Sequence, residues 1–273
     1  MSAQKPIRRK TVKDIADAKG GVPLVCLTAY DAPMAALLDP HCDLLLVGDS
    51  VGMVVHGLPS TVGVTMEMMI LHGQAVMRGA QSALVVVDMP FGSYETNADQ
   101  AFLNAARIMQ ETGCQAVKIE SGTYAADQIR HLVERGIPVM GHVGLRPQAV
   151  NVDGGFAAKG RTHAERERVM AEAKAAEEAG AFAIVVEGVA EDLAREVTEA
   201  VSCPTIGIGA SSACDGQILV TQDMLGLFDW TPKFVKVYGQ VREEIARAVA
   251  DYADEVRARN FPGEAETYRL KPK

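Results

Sequence analysis

The sequence predicts an α/β protein, a (β/α)8 TIM barrel with an extra C-terminal helix, and three observations support this prediction. Short runs rich in Val, Ile and Leu recur along the 273 residues, helical patterns separate them, and no Pro/Gly/Ser-rich linker divides the chain. Such runs are typical of strands buried on both faces, and their alternation with helices is typical of a parallel sheet. The length also fits the ~250 residues usual for this barrel.

The apolar runs are the predicted strands. They cover 23–29, 43–48, 83–88, 115–120, 137–142, 182–187, 204–210 and 216–220. The eighth strand has two candidates, because 216–220 follows the seventh run closely while 233–238 comes later; we favour 216–220. A doubly wound sheet is the competing fold, but no GxGxxG motif follows the first run.

Helical patterns fill the spaces between the runs. The clearest are 99–113, 128–136, 163–180 and 191–201, and the first three end in glycine, the residue expected just after a helix. A further amphipathic pattern covers 241–260 and would pack on the barrel or on a neighbouring subunit. These elements predict one barrel domain over 1–273, with an N-terminal extension over about 1–20 and a helical tail over about 241–273.

Composition excludes several classes of protein. The 27 Lys and Arg residues against 35 Asp and Glu residues give a net charge of −8, which disfavours a nucleic-acid partner. No apolar run reaches the ~18 residues of a membrane helix, and no apolar stretch follows the basic start, so neither a membrane span nor a secretory signal is predicted. The five cysteines show no CxxC spacing. They predict free thiols in a reducing cytoplasm.

Ionisable side chains end five consecutive predicted strands, and this pattern points to a site. The residues, with an adjoining serine, are Asp49, Ser50, Asp88, Lys118, Glu120, His142 and Glu187. In a (β/α)8 barrel the active site lies at the carboxyl ends of the strands. A lone Asp or Ser after a strand commonly caps the next helix, but five such ends in succession predict convergent catalytic groups.

Three of these residues are carboxylates that would face one cavity. Asp49, Asp88 and Glu120 would repel one another unless a cation lay between them. Oxygen ligands suit Mg²⁺ or Mn²⁺, and Mg²⁺ usually takes one or two carboxylates together with water and substrate oxygens. We therefore expect these three residues to form a metal site, with one Mg²⁺ per subunit.

Lys118 lies two residues before Glu120, on the same face of the strand. It could form a Schiff base, neutralise the carboxylates or bind a substrate anion. The neighbouring acids are expected to raise its pKa, which disfavours an amine nucleophile at neutral pH and favours anion binding.

Glu187 follows the apolar run 182–186. Apolar surroundings raise the pKa of a carboxylate, as a general base requires. Glu187 ends the sixth predicted strand, whereas the expected metal ligands end the second, third and fourth, so we expect this base to lie across the cavity from the metal. A Glu187 paired with an arginine is the alternative. For His142, contact with substrate or a carboxylate and a purely structural hydrogen bond both remain open. His72 lies in a helical stretch, and we expect it to be structural.

Several sequence blocks together resemble the ketopantoate hydroxymethyltransferase family, in order from about Lys10 to Tyr238. They are LTAYDAPMA (27–35), LVGDSVGMVVHG (46–57), VVVDMPFGSY (85–94), AVKIESG (116–122), GIPVMGHVGLRPQ (136–148), GGF (154–156) and DGQILV (215–220). The resemblance implies an Mg²⁺-dependent (β/α)8 barrel, commonly a homodecamer of two stacked pentamers. It also implies transfer of a one-carbon unit from 5,10-methylenetetrahydrofolate to 3-methyl-2-oxobutanoate, giving 2-dehydropantoate, the first committed step of pantothenate synthesis.

The resemblance also implies roles for individual residues. Asp49 and Asp88 look like metal ligands, with Glu120 at or near the metal. Ser50 and Lys118 look like contacts to the keto acid, and Glu187 matches the general base that removes the C3 proton to form an enolate. The chain departs from the family pattern at Ser121, Arg146, Lys159 and Ser211. We expect these departures to affect the rim of the site rather than its chemistry.

Three other functions fit the same residues. One is an Mg²⁺-dependent lyase or mutase of the phosphoenolpyruvate mutase type, which would need no folate. A second is a Schiff-base aldolase that uses Lys118. The third is a non-catalytic binding or scaffold barrel.

Overall fold

Eight parallel strands close into a barrel in chain order in the computed structural model, which describes residues 8–268. The strands are β1 (Leu24–Thr28), β2 (Leu44–Val47), β3 (Leu84–Asp88), β4 (Ala116–Glu120), β5 (Val139–Gly144), β6 (Ala183–Glu187), β7 (Thr205–Ile208) and β8 (Gly216–Leu219). The barrel closes where β1 pairs with β8. The predicted (β/α)8 fold is confirmed.

Helices connect most of the strands. They are α1 (Val12–Ala16), α2 (Ala32–Leu38), α3 (Val51–Val54), α4 (Met66–Gly79), α5 (Ala98–Thr112), α6 (Ala126–Glu134), α7 (Val150–Asp153), α8 (His163–Glu178), α9 (Glu191–Ala200), α10 (Thr221–Met224) and α11 (Val241–Arg257). The exceptions are that α1 precedes β1 and that β7 leads into β8 without a helix between them. The preference for 216–220 as the eighth strand is confirmed, since 233–238 forms a turn without strand structure. Among residues 8–268, no helix combines the length and apolar character needed to cross a membrane.

The barrel interior is filled by alternate residues of the strands. Side chains of a strand point to opposite faces in turn, so every second residue faces the lumen. The interior cluster includes Leu24 and Cys26 of β1, Leu44 and Leu46 of β2, and Ile15 of α1, which is fully buried. The described part of the predicted N-terminal extension therefore contributes a side chain to the barrel core.

The outward-facing residues of the strands pack against the surrounding helices in a second, larger cluster. Val85 and Val87 of β3 belong to it, with Ile108 of α5 and Ile129 of α6. The described residues form two compact units that divide between Val220 and Thr221. The first holds all eight strands, the second holds α10 and α11, and the predicted domain boundaries stay a prediction.

Candidate active site

All seven predicted site residues line one cavity at the carboxyl ends of the strands. The cavity encloses about 510 Å³ of space, including its open mouth. Strand alternation explains this convergence, because the inward-facing positions are apolar in the body of the barrel and ionisable at its carboxyl end. In β4, for example, Ala116 lies in the interior cluster, while Lys118 and Glu120, two and four residues later, line the cavity.

The register of the sheet brings the charged groups side by side. Asp88 is paired with Lys118 across β3 and β4, and Glu120 is paired with His142 across β4 and β5. Lys118 Nζ lies 3.1 Å from Asp88 Oδ1, and the Asp49 backbone N–H donates to Asp88 Oδ2 at 2.9 Å. These side chains are almost completely buried, so their charges interact with little screening by water.

Burial and mutual repulsion set the protonation of the carboxylates. Burial raises the pKa of Asp49 to about 7, and the charge of Asp88 adds to the effect. Burial, with the charge of Asp49, also raises the pKa of Glu120 well above its ordinary value. Burial alone would lower the pKa of Lys118, but the charges of Asp88 and Asp49 outweigh it and raise that pKa. Lys118 is therefore a persistent cation, which disfavours its use as an amine nucleophile.

His142 links Lys118 to Glu187. Its Nδ1 lies 3.2 Å from Lys118 Nζ, and because an ammonium can only donate, Nδ1 is the acceptor and the imidazole proton is assigned to Nε2. Nε2 lies 3.2 Å from Glu187 Oε2, although the two atoms are not aligned as a hydrogen bond. Burial and the charge of Lys118 lower the pKa of His142, which favours a neutral ring.

Glu187 therefore has more polar surroundings than its sequence context suggested. Val185 and Ile208 line the cavity with it, but its carboxylate faces the imidazole of His142. The sequence shows the apolar run before Glu187. It does not show that His142 of β5 lies beside Glu187, because that contact depends on strand register. No arginine forms an ion pair with Glu187 among the described residues.

Ser50 does not cap the helix that it precedes. It occupies the N-cap position of α3 without a side-chain capping bond, and its Oγ lies 2.8 Å from the hydroxyl of Tyr30. The carbonyl of Tyr30 accepts a hydrogen bond from His72 Nδ1 at 2.6 Å. This contact supports the structural role expected of His72, and Tyr30 is a site neighbour that sequence reasoning missed.

Gln148 is the other residue that sequence reasoning missed. Its Nε2 donates to Asp49 Oδ2 at 2.8 Å and to the carbonyl of Met89 at 3.0 Å. Its backbone N–H donates to the carboxylate of Glu120, and its Oε1 accepts from Tyr94 at 2.6 Å. The only sequence signal was its place in the block GLRPQ.

The predicted metal site fits a cation that takes few protein oxygens. Among residues 8–268, no three His, Cys, Asp or Glu side chains form a ligand group by themselves. Asp49 and Asp88 nevertheless place two buried carboxylates together, and Asp88 Oδ1 has no aligned hydrogen bond, although the ammonium of Lys118 lies 3.1 Å from it. This donor set suits Mg²⁺, which retains water and substrate oxygens as its other ligands. The three-residue ligand set with Glu120 stays a prediction.

A family model described as ketopantoate hydroxymethyltransferase matches residues 9–264. The chain belongs to the ketopantoate hydroxymethyltransferase family. It is 79% identical over 271 residues to 3-methyl-2-oxobutanoate hydroxymethyltransferase of Hyphomonas neptunium, covering 99% of this chain and 98% of that protein. It is 74% identical to the enzyme of the same name from Maricaulis maris, with coverage of 97% and 95%.

Solved structures of lower identity share the barrel fold. The structure of 2,3-dimethylmalate lyase, a PEP mutase/isocitrate lyase superfamily member, has a TM-score of 0.60 at 17% identity, covering 94% of this chain and 91% of that one. A phosphoenolpyruvate phosphomutase from Streptomyces platensis has a TM-score of 0.61 at 11% identity, with coverage of 96% and 93%. At these identities the likeness establishes the fold alone.

Two of the residues expected to depart from the family pattern, Ser121 and Arg146, lie close to the site. Ser121 is buried, and its Oγ accepts a hydrogen bond from the backbone N–H of His142 at 3.0 Å. Arg146 Nη1 lies 3.8 Å from Glu172 Oε1, and both side chains are largely buried. Ser121 thus contacts the backbone of a cavity residue directly.

The other two departures make polar contacts away from the cavity lining. The pairs are Lys159 Nζ with Asp153 Oδ2 at 2.9 Å, and Ser211 Oγ with Glu191 Oε1 at 2.7 Å. Lys159 and Ser211 therefore each have a polar partner. Their effect on the reaction stays a prediction.

Proposed function

We propose that this chain transfers a hydroxymethyl group from 5,10-methylenetetrahydrofolate to 3-methyl-2-oxobutanoate, giving 2-dehydropantoate. This reaction opens pantothenate synthesis, the route to coenzyme A. The observation that carries the proposal is the convergence of all seven predicted residues on one cavity. The names of relatives up to 79% identical support the same reaction.

Glu187 acts as the general base in this proposal. It takes the proton from C3 of the keto acid, and its carboxylate lies 3.2 Å from His142 Nε2. Ser50 binds the keto acid, and its hydroxyl is held by Tyr30. His142 lines the same cavity and is a less direct candidate for substrate contact.

Lys118 offsets the negative charge that develops on the substrate when the C3 proton leaves. Its buried ammonium is held by Asp88, so it needs little reorganisation during the reaction. The resulting C3 nucleophile attacks the one-carbon unit of the folate. Water then adds its hydroxyl to the transferred carbon as the last C–N bond to the folate breaks, and tetrahydrofolate leaves with the other hydrogen of that water and the proton taken from C3.

Asp49 and Asp88 would hold one Mg²⁺ per subunit, with Glu120 at or near it and the keto acid beside it. The cation would supply Lewis-acid polarisation of the keto group. The adjacency of the two buried carboxylates supports this assignment.

The proposed binding partners are the small-molecule substrates. We propose that the protein binds neither nucleic acid nor a membrane. We propose a homo-oligomer, a homodecamer by family resemblance, located in the cytoplasm. The described cysteines are free thiols, as a reducing compartment requires.

Turnover with the two named substrates tests the proposal. Labelled methylenetetrahydrofolate should transfer its label to the keto acid with Mg²⁺ present, and chelation should abolish transfer. Deuterium exchange at C3 without label transfer would instead favour a folate-independent lyase or mutase. A covalent substrate adduct trapped on Lys118 by borohydride would favour the Schiff-base aldolase. We expect no such adduct.

A further inference from the structure

The amide of Gln148 has a single possible orientation. One end of the amide lies 3.0 Å from the carbonyl of Met89, and because a carbonyl can only accept, that end must be Nε2. The same nitrogen donates its second hydrogen to Asp49 Oδ2. Oε1 therefore faces the hydroxyl of Tyr94 at 2.6 Å, so Tyr94 donates and fixes which way the amide points.

The backbone of the same residue reaches a second carboxylate. The Gln148 N–H lies 3.1 and 3.2 Å from the two oxygens of Glu120. Gln148 lies in the short 3₁₀ turn Pro147–Ala149 that follows β5. From there this one residue connects the carboxylate after β2 with the carboxylate at the end of β4.

These bonds determine which carboxylate oxygens are available to a ligand. Asp49 Oδ2 is engaged by Gln148 Nε2, so a ligand would meet the other oxygen of this carboxylate, Oδ1. Gln148 and Tyr94 are both buried, so water replaces lost bonds poorly. Partners of this kind orient the carboxylates of metal sites.

We propose that Gln148 is a positioning residue that holds Asp49 and Glu120 ready for a divalent cation, and that Tyr94 acts through Gln148 by fixing its amide. The proposal rests on the proposed function, from which it takes the cation site. It assigns to two residues outside the predicted site a role in cation affinity rather than in the chemical step.

The test measures Mn²⁺ binding by electron paramagnetic resonance in the full-length protein, with and without the keto acid. Gln148→Met keeps the side-chain length but removes the amide, and should weaken Mn²⁺ binding about 10- to 100-fold. Tyr94→Phe removes one hydroxyl and should weaken it about 2- to 10-fold. The double variant should bind no more weakly than Gln148→Met, because Tyr94 acts through the amide that is already missing.

Gln115→Met is the matched control. Gln115 precedes β4 at the opposite end of the barrel, and its amide also makes two backbone bonds, from Val85 N–H and to the Gly113 carbonyl. Gln115→Met should lower the thermal midpoint by about as much as Gln148→Met does, but should keep wild-type Mn²⁺ affinity. If the role of Gln148 is merely structural, Gln148→Met should also lower the thermal midpoint without changing Mn²⁺ affinity. That result would overturn the proposal.

The outcomes also separate this proposal from the proposed function. A wild-type protein that binds no Mn²⁺ overturns the cation site and this inference together. Wild-type binding with unchanged affinity in Gln148→Met overturns this inference alone. Additive losses from Tyr94→Phe and Gln148→Met overturn the assignment of Tyr94.

Discussion

At the scale of single residues, Glu187 is the group most directly tied to the chemical step. Glu187→Gln keeps the side-chain shape but removes the base, so C3 proton exchange and hydroxymethyl transfer should both fall by about 10²–10⁴. Metal and keto acid affinity should change little, because the ion-pair neighbour of Glu187 is His142 and not one of the three proposed metal ligands. NMR in D₂O with saturating Mg²⁺ measures exchange and transfer together.

The exposed Glu196→Gln provides a control for loss of a carboxylate elsewhere and should retain both rates. If exchange persists in Glu187→Gln while transfer is lost, Glu187 serves the folate half of the reaction. Loss of metal binding in that variant would show that Glu187 is a ligand.

The Asp49 carboxyl predicts a pH-dependent stability. Its pKa is raised from 3.8 to about 7, so the folded state binds more protons than the unfolded state between these values. Stability from this group is therefore present at low pH and lost as the pH rises through about 7. Mg²⁺ should raise the thermal midpoint more at pH 8 than at pH 5, since a cation prefers the ionised carboxylate.

The comparison with Asp49→Asn removes this carboxyl together with its charge effect on the pKa of Glu120. His142, whose pKa is lowered, contributes with the opposite sign in the same pH range, but it is present in both proteins. Differential scanning fluorimetry from pH 5 to 8 should show the midpoint of wild type falling relative to that of Asp49→Asn. A difference that does not vary with pH contradicts the prediction.

At the scale of elements, α1 is expected to stabilise the barrel although it lies outside the repeating βα units. Ile15 is fully buried in the interior cluster with residues of β1 and β2. Ile15→Ala should lower the free energy of unfolding by about 2–5 kcal/mol, the range for such a truncation in a core. Urea denaturation measures this loss, and Val22→Ala, at a side chain 86% exposed, should cost little.

A small loss in Ile15→Ala would mean that α1 is not part of the cooperative barrel. The KM for keto acid should stay near wild type, because Ile15 does not line the cavity. Ile15→Ala should therefore change the stability of the barrel without changing substrate binding.

At the scale of the whole molecule, α11 presents an unburied apolar stripe. Ile245, Val249, Tyr252 and Val256 recur at helical spacing, and each is 42–60% exposed. We expect this stripe to lie in a contact between subunits of the proposed homo-oligomer. Val249→Glu should therefore lower the molar mass measured by light scattering after size exclusion.

Arg247→Gln is the matched control, since it changes the charge by the same amount on another face of α11. It should leave the molar mass unchanged. If both variants keep the wild-type mass, the stripe is not the subunit contact.

The strands, and the side chains that end them, could be predicted from the sequence alone. A parallel strand buried on both faces must be apolar along its length, so an ionisable residue such as Asp88 or Glu187 stands out where the strand leaves the core. The sequence blocks that resemble the family also predict the reaction. The eighth strand shows how far this reasoning extends, because β8 could be chosen over 233–238 from its spacing to β7 alone.

The groups that meet across the barrel could not be predicted in this way, because their contacts depend on the three-dimensional fold. Gln148 bonds to Asp49 from a position 99 residues away, and His142 faces Glu187 from the neighbouring strand. The hydrogen bond between Tyr30 and Ser50 and the burial of Ile15 in the barrel interior also depend on the fold. Local patterns report whether a residue is buried, but its partners depend on strand register and on the turns after each strand, which arise when the barrel closes.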